Sequence, residues 1–187
     1  MIRIKKKVIG FTGLPGSGKS TAIEAIRELG TIITMGDVVR EEAKKRGIEP
    51  TDENLGEIAR ELRKEGGNEI VAQKCVELII ESECEVIFID GVRSLSEVNV
   101  FRKTWKFPLI ATVIDENIRF KRLHERGRTD DPKILDELRK RDEREVSFGL
   151  KDVIEIADYK IENTSTVEEL QKKTRNVVLK IIRNNGL

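Results

Sequence analysis

The chain has 187 residues, 38% of them hydrophobic and 37% charged, with a net charge of +1; this suits one domain with a sizeable core and excludes binding of nucleic acid or membrane by bulk charge. One histidine and two cysteines without CxxC spacing, Cys75 and Cys84, give no support to a His-based triad, a His-rich metal site or a structural disulfide. No apolar run reaches the length of a membrane span.

Residues 7–12, Lys-Val-Ile-Gly-Phe-Thr, read as a short apolar strand. The basic start runs straight into it, so the N-terminus reads as a buried first strand rather than a signal peptide, and the compartment as the cytoplasm. Gln is scarce beside Lys, Glu and Arg, a balance that points to a thermophilic source. Next comes Gly13-Leu14-Pro15-Gly16-Ser17-Gly18-Lys19-Ser20, which fits the P-loop pattern G-x-x-x-x-G-K-[ST] at every fixed position. Residues 21–29 follow as a helix with apolar residues at helical spacing.

The chemistry explains the spacing. A triphosphate must be wrapped by backbone N–H groups, and Gly13, Gly16 and Gly18 allow the main chain to come close in unusual φ values. The loop delivers the phosphates to a helix N-terminus, where free N–H groups and the helix dipole favour negative charge. Gly13, Pro15, Gly16, Ser17, Gly18, Lys19, Ser20 and Thr21 are the expected ATP-binding residues. Lys19 reaches the β- and γ-phosphates, and the Ser20 hydroxyl is an expected Mg²⁺ ligand.

Residues 31–34 are β-branched throughout and read as a second strand. Residues 36–46 read as a helix stopped by Gly47 and Pro50. Thr51 caps the next, with Leu55, Ile58, Ala59 and Leu62 on one face, and Gly66-Gly67 breaks it. A helix over 68–83 would bury Val71, Cys75, Leu78 and Ile79. Residues 85–90 form an apolar run suited to a strand buried on both faces. Ser94 and Glu97 predict a capping box, and residues 107–114 another strand. Asp115 caps a helix ending at Gly127, and Asp131-Pro132 starts the next. Residues 158–161 are a last short strand. Thr166 and Glu169 cap a final helix with Val167, Leu170, Val177, Val178 and Ile181 on one side. Strands alternating with helices predict an α/β fold with a parallel sheet covered on both faces. The helices over about 36–82 exceed what a crossover needs and read as an acceptor-binding insertion.

Beyond the P-loop, Asp90 ends an apolar strand, where a carboxylate can hold Mg²⁺ directly or through water; the competing reading is a turn aspartate before Gly91. Thr34-Met35-Gly36-Asp37-Val38-Val39-Arg40 resembles the T-x-G-D-x-x-R segment of adenylate kinases and related nucleoside monophosphate kinases. The resemblance implies that Arg40 grips the acceptor phosphate, with Asp37 nearby, and a planar guanidinium suits that task. Asp90-Gly91-Val92-Arg93 is similar to the D-G-F-P-R of the same family, one residue shorter and without the proline, which implies an acceptor role for Arg93.

Arg119, Arg122 and Arg126 fall on one helical face, with Arg128 after them. Arg122 and Arg126 match the R-x-x-x-R of the family's lid, which implies a catalytic role in neutralising the transferred group, within a lid region of about 119–146. The competing reading is a solvated helix in a charge-rich chain. Ala157-Asp158-Tyr159-Lys160-Ile161-Glu162-Asn163 resembles the A-D-x-x-I-x-N of dephospho-CoA kinases, with Tyr159 and Asn163 as candidate base contacts. Taken whole, the chain resembles a family of archaeal adenylate-kinase-related proteins. It shares their motifs at residues 8–20, 35–43, 90–98, 141–149 and 157–159.

The expectation is a P-loop fold of the nucleoside and nucleotide kinase type, with a five-stranded parallel sheet. ATP and Mg²⁺ would serve γ-phosphoryl transfer to a small acceptor, a nucleoside monophosphate by resemblance. Two rivals stand beside it. A dephospho-CoA-type kinase would use Asp37 as base toward a hydroxyl. A nucleotide-dependent switch or RNA-associated ATPase would need no small acceptor, but the chain has neither an N-K-x-D motif nor a basic face with interleaved aromatics.

Overall fold

The apolar runs of the sequence become the strands β1 (Lys7–Thr12), β2 (Thr31–Thr34), β3 (Val86–Asp90), β4 (Leu109–Val113) and β5 (Tyr159–Glu162). A computed structural model describes residues 6–126 and 132–184. The sheet is five-stranded and parallel, in the order β2-β3-β1-β4-β5. Phe11 is paired with Asp90 of β3 on one side and Ile110 of β4 on the other. The order therefore reverses about β1, and the crevice at the carboxyl ends of β1 and β3 is the place where open parallel sheets take ligands.

Side chains alternate across the sheet and divide the core in two. Val8, Ile87, Ile89 and Leu109 face α2 (Met35–Lys45), α3 (Asp52–Gly66), α4 (Ile70–Glu81), α5 (Leu95–Arg102) and α8 (Leu150–Glu155). Ile9, Phe11, Phe88 and Ile110 face α1 (Lys19–Glu24) and α9 (Val167–Asn184). Cys75 sits in the first cluster, where burial, with smaller contributions from Glu97 and Asp37, pushes its thiol up to about 12. The remaining helices, α6 (Glu116–Arg126) and α7 (Leu135–Ser147), stand at the crevice end. Thr51 caps α3 by accepting from the Asn54 N–H, and the Ser94–Glu97 capping box opens α5.

Several expectations are corrected. The helix over 21–29 is interrupted: α1 stops at Glu24 and a 3₁₀ turn covers Arg27–Leu29. Thr31 must enter the sheet opposite Ile87, and Gly30 passes so close to the Val86 backbone that no side chain fits, so the tighter turn brings the chain round. Leu78 lies at the edge of the α4 stripe and is 45% exposed; Val71, Ala72, Cys75 and Ile79 form the buried face. Val167 is 54% exposed and heads α9 at the crevice. Pro132 precedes α7 rather than starting it. Ile134 is the N-cap, and Glu137 takes the Lys133 N–H at 2.6 Å, fixing the start at Leu135. Helix α8 escaped the sequence reading. Gly149, at φ 97°, ends α7 and begins a short helix that buries Leu150 and Val153.

Candidate functional site

The phosphate loop is held from behind by three elements. The Ser17 hydroxyl pairs with that of Thr112 in β4 at 2.7 Å, and both are buried. The Asn163 amide donates to the Ser17 carbonyl at 2.9 Å. Arg119 of α6 donates to the Pro15 carbonyl at 3.0 Å. Gly18 takes the left-handed conformation, φ 96°, and a Cβ there would collide with the Asn163 amide. A Cβ on Gly16 would meet Leu123 at 2.7 Å and Arg119 at 2.9 Å. These glycines thus serve close packing against the protein behind the loop, as well as backbone approach to an anion in front.

Lys19 opens α1 and ion-pairs with Asp90 at the end of β3. The turn after Asp90 is pinned by two N–H groups, of Gly91 and Val92, on the Phe11 carbonyl, and by the Thr12 hydroxyl on the Val92 carbonyl at 2.8 Å. The parallel register of β1 and β3 therefore sets Asp90 beside the phosphate loop. Ser20, in the first turn of α1, lines the same cleft. Among the described residues there is no cluster of three or more His, Cys, Asp or Glu that could hold a metal alone. One carboxylate and one hydroxyl beside a phosphate cradle fit a hard cation that takes most of its ligands from phosphate and water.

The cleft has a volume of about 1170 Å³ and runs from the phosphate loop in two directions. One arm lies under α2, α3 and the end of α7, with Arg40, Arg93, Arg141 and Arg144 in its wall beside Val39, Leu55 and Phe148. Among the described lining residues six cations (Lys19, Arg40, Arg93, Arg122, Arg141 and Arg144) face two carboxylates, Asp90 and Glu145. The lining thus carries more cationic than anionic side chains, in a chain of net charge +1. Arg93 pairs with the buried Glu145 at 3.3 Å. Asp37 does not line the cleft; it is exposed and ion-pairs with Arg40 one turn on.

The other arm lies between α6 and the β5–α9 loop. Arg122 donates to the carbonyls of Asn163 at 3.1 Å and Ser165 at 3.2 Å. Arg119 is 2% exposed, and its guanidinium forks onto Asp142 of α7. The structure thus does not gather Arg119 and Arg122 as free cations of a lid: one is a buried strut, the other anchors a loop. The Arg126 side chain and residues 127–131, including Arg128, Asp130 and Asp131, lie outside the described residues. Tyr159 packs in the core rather than the cleft, whereas Asn163 lines it. Sequence reading missed the bracing roles of Thr112, Arg119 and Asp142. The spacing of Arg119 was visible, but its partner 23 residues away was not.

A family model described as AAA domain matches residues 9–147. A UPF0200/UPF0201 protein of Archaeoglobus fulgidus is 47% identical over 186 residues; the match covers 97% of this chain, which spans 58% of that protein's length. A UPF0200 protein of Methanosarcina acetivorans is 42% identical over 183 residues, covering 96% of this chain and 98% of the relative. Among solved structures, shikimate kinase from Acinetobacter baumannii in complex with shikimate superposes with a TM-score of 0.58 at 12% identity, over 97% of this chain and 96% of that one. A gluconokinase from Sinorhizobium meliloti superposes with a TM-score of 0.57 at 18% identity, over 97% and 96%. The chain belongs to the AAA domain family, has the UPF0200 proteins as its relatives, and carries the P-loop kinase fold.

Proposed function

We propose that this chain is an ATP- and Mg²⁺-dependent phosphotransferase that moves the γ-phosphoryl group to a nucleoside monophosphate. The observation that carries the reading is the single cleft in which a phosphate loop continues into an arm walled by Arg40, Arg93, Arg141 and Arg144. Two anions would lie end to end there, which is the arrangement in-line transfer needs.

In this reading the loop N–H groups and the α1 N-terminus hold the donor phosphates. Lys19 turns from Asp90 to the phosphates, and its charge stabilises what develops on the transferred group. Asp90 and Ser20 would hold Mg²⁺, which would supply positive charge to neutralise the phosphates. An acceptor phosphate oxygen attacks the γ-phosphorus, the bond to the bridging oxygen of ADP breaks, and ADP leaves. Arg40 and Arg93 orient the attacking phosphate from α2 and from the turn after β3, and Arg122 holds the donor-side loop. The helical segment over about 36–82 would then be the acceptor arm. The segment over about 119–146, Arg126 included, would cover the reacting groups.

A phosphate acceptor is favoured over a hydroxyl. Hydroxyl attack needs a carboxylate free to take a proton. Asp37 lies outside the lining, Glu145 pairs with Arg93, and Asp90, once Lys19 has turned to the phosphates, would be taken up by the metal in this reading. An ionised phosphate needs no base. Gluconokinase and shikimate kinase share the fold under their own names, so the fold leaves the acceptor open and the arginines choose it.

The test is a coupled assay of ATP and Mg²⁺ against AMP, CMP, UMP, GMP, dAMP and dephospho-CoA, with a no-acceptor control. Strong turnover with a monophosphate is expected. Turnover with dephospho-CoA alone would overturn the phosphate-acceptor reading. Slow ATP loss that no acceptor changes would overturn the small-molecule kinase.

A further inference from the structure

Phe148 is the aromatic side chain among the described residues lining the cleft, although the chain has six Phe, one Trp and one Tyr. It caps the end of α7, just before Gly149 turns the chain, and is half-buried. Phe11, Phe88, Phe101 and Phe107 are all core residues.

The ring is held by a buried network that the nucleotide chemistry does not use. The Arg63 guanidinium of α3 sits 4.9 Å from the Phe148 ring centroid. Arg63 also donates to the Ala59 carbonyl at 3.0 Å and to Glu97 at 2.8 Å. Glu97 is fully buried and accepts from the N–H groups of Arg93 at 2.8 Å and Ser94 at 3.2 Å. A buried carboxylate is tolerated only when its oxygens are satisfied, and here three donors satisfy it. The same pair thus fixes the ring and the backbone of an acceptor-side arginine. A cation on one face of the ring also adds attraction that holds it in place.

The lining of this arm therefore offers two kinds of contact. Arg40, Arg93 and Arg144 offer charge, and Phe148, one turn beyond Arg144, offers a flat apolar ring, with Leu55 and Ala59 of α3 in the same lining. A ligand that carries both a phosphate and a planar ring can use both, whereas a sugar phosphate leaves the aromatic face wet.

Resting on the function proposed above, we propose that Phe148, clamped by Arg63 and Glu97, is the platform on which the planar ring of the acceptor stacks. The acceptor class is then set by the planar ring, which excludes sugar phosphates that carry no base. Stacking of a base on an aromatic side chain is worth about tenfold or more in affinity.

Calorimetric titrations of the whole chain with AMP, UMP and ribose 5-phosphate test this, with Mg²⁺ and a saturating non-hydrolysable ATP analogue occupying the donor site. The monophosphates that carry a base are expected to bind at least about tenfold tighter than ribose 5-phosphate. Phe148→Ala should bring the two within about threefold, Phe148→Trp should preserve the gap, and neither should change affinity for the ATP analogue. Phe148→Leu keeps packing under Arg63 and should behave as the alanine variant if stacking is the cause. Equal binding of ribose 5-phosphate, a gap that survives Phe148→Ala, or no binding of any probe would overturn the platform. AMP binding without phosphoryl transfer would remove the kinase reading and leave the platform standing. Phosphoryl transfer to AMP that Phe148→Ala leaves unchanged in rate and in affinity for AMP would do the reverse.

Discussion

Arg119 in α6 grips Asp142 in α7 with both arms of its guanidinium, and one arm also reaches the Pro15 carbonyl of the phosphate loop at 3.0 Å. The pair ties the helix that carries Arg141 and Arg144 to the loop that would hold ATP. Breaking a buried pair from one side leaves an uncompensated charge. Arg119→Met should cost about 3 kcal/mol or more in urea denaturation. Asp142→Asn, which keeps a hydrogen-bond acceptor, should cost less. If both variants melt like the parent, the strut has no structural weight.

Asn163 is the second brace. Its amide satisfies the Ser17 carbonyl, and it is 5% exposed. Asn163→Ala leaves that carbonyl unpaired, a loss of about 1–3 kcal/mol. The loop should loosen, and the dissociation constant for a fluorescent ATP analogue should rise about tenfold or more. Unchanged affinity would place the loop geometry in Gly16, Gly18 and the helix alone.

Lys19→Ala should fold normally yet lose phosphoryl transfer by several orders of magnitude. The Lys19–Asp90 pair is partly exposed, with side-chain exposures of 22% and 15%, so its loss should change stability by about 1 kcal/mol or less. The loss of transition-state charge is the larger effect. Activity within about tenfold of the parent would remove the P-loop from catalysis.

Cys75 supplies a pH signature. Burial lifts its thiol from an ordinary 9.0 to about 12 in the folded chain. Below pH 9 both states hold the proton and the contribution to stability is complete. Between pH 9 and 12 the unfolded thiol ionises first, so stability falls as pH rises. Between pH 8 and 10.5 the parent should lose about 2 kcal/mol more than Cys75→Val, read by denaturant unfolding at each pH. Equal slopes would show that the thiol ionises as freely folded as unfolded.

Local signals in the sequence located most of the fold. The phosphate loop has its residues consecutive, and the strands announce themselves by apolar runs, so β1, the loop and α1 were legible together, as was Asp90 at the end of β3. What was not legible depends on partners distant in the chain. Arg119 and Arg122 looked alike on a helical wheel. Only the fold brings Asp142 to one and the carbonyls of Asn163 and Ser165 to the other. The Arg63–Glu97 pair joins residues 34 apart, and periodicity cannot signal such a contact. Helix α8 was missed because a six-residue segment after a left-handed glycine offers too little pattern to read.

The central claim is that the γ-phosphoryl group moves to a nucleoside monophosphate held by arginines. Following the label of γ-³²P ATP with Mg²⁺, the whole chain and AMP or another monophosphate tests it most directly. Labelled nucleoside diphosphate is expected, abolished in Lys19→Ala and weakened at least about tenfold when Arg40 or Arg93 is replaced by methionine. Label that appears only as inorganic phosphate, at the same rate with and without every monophosphate, would contradict it.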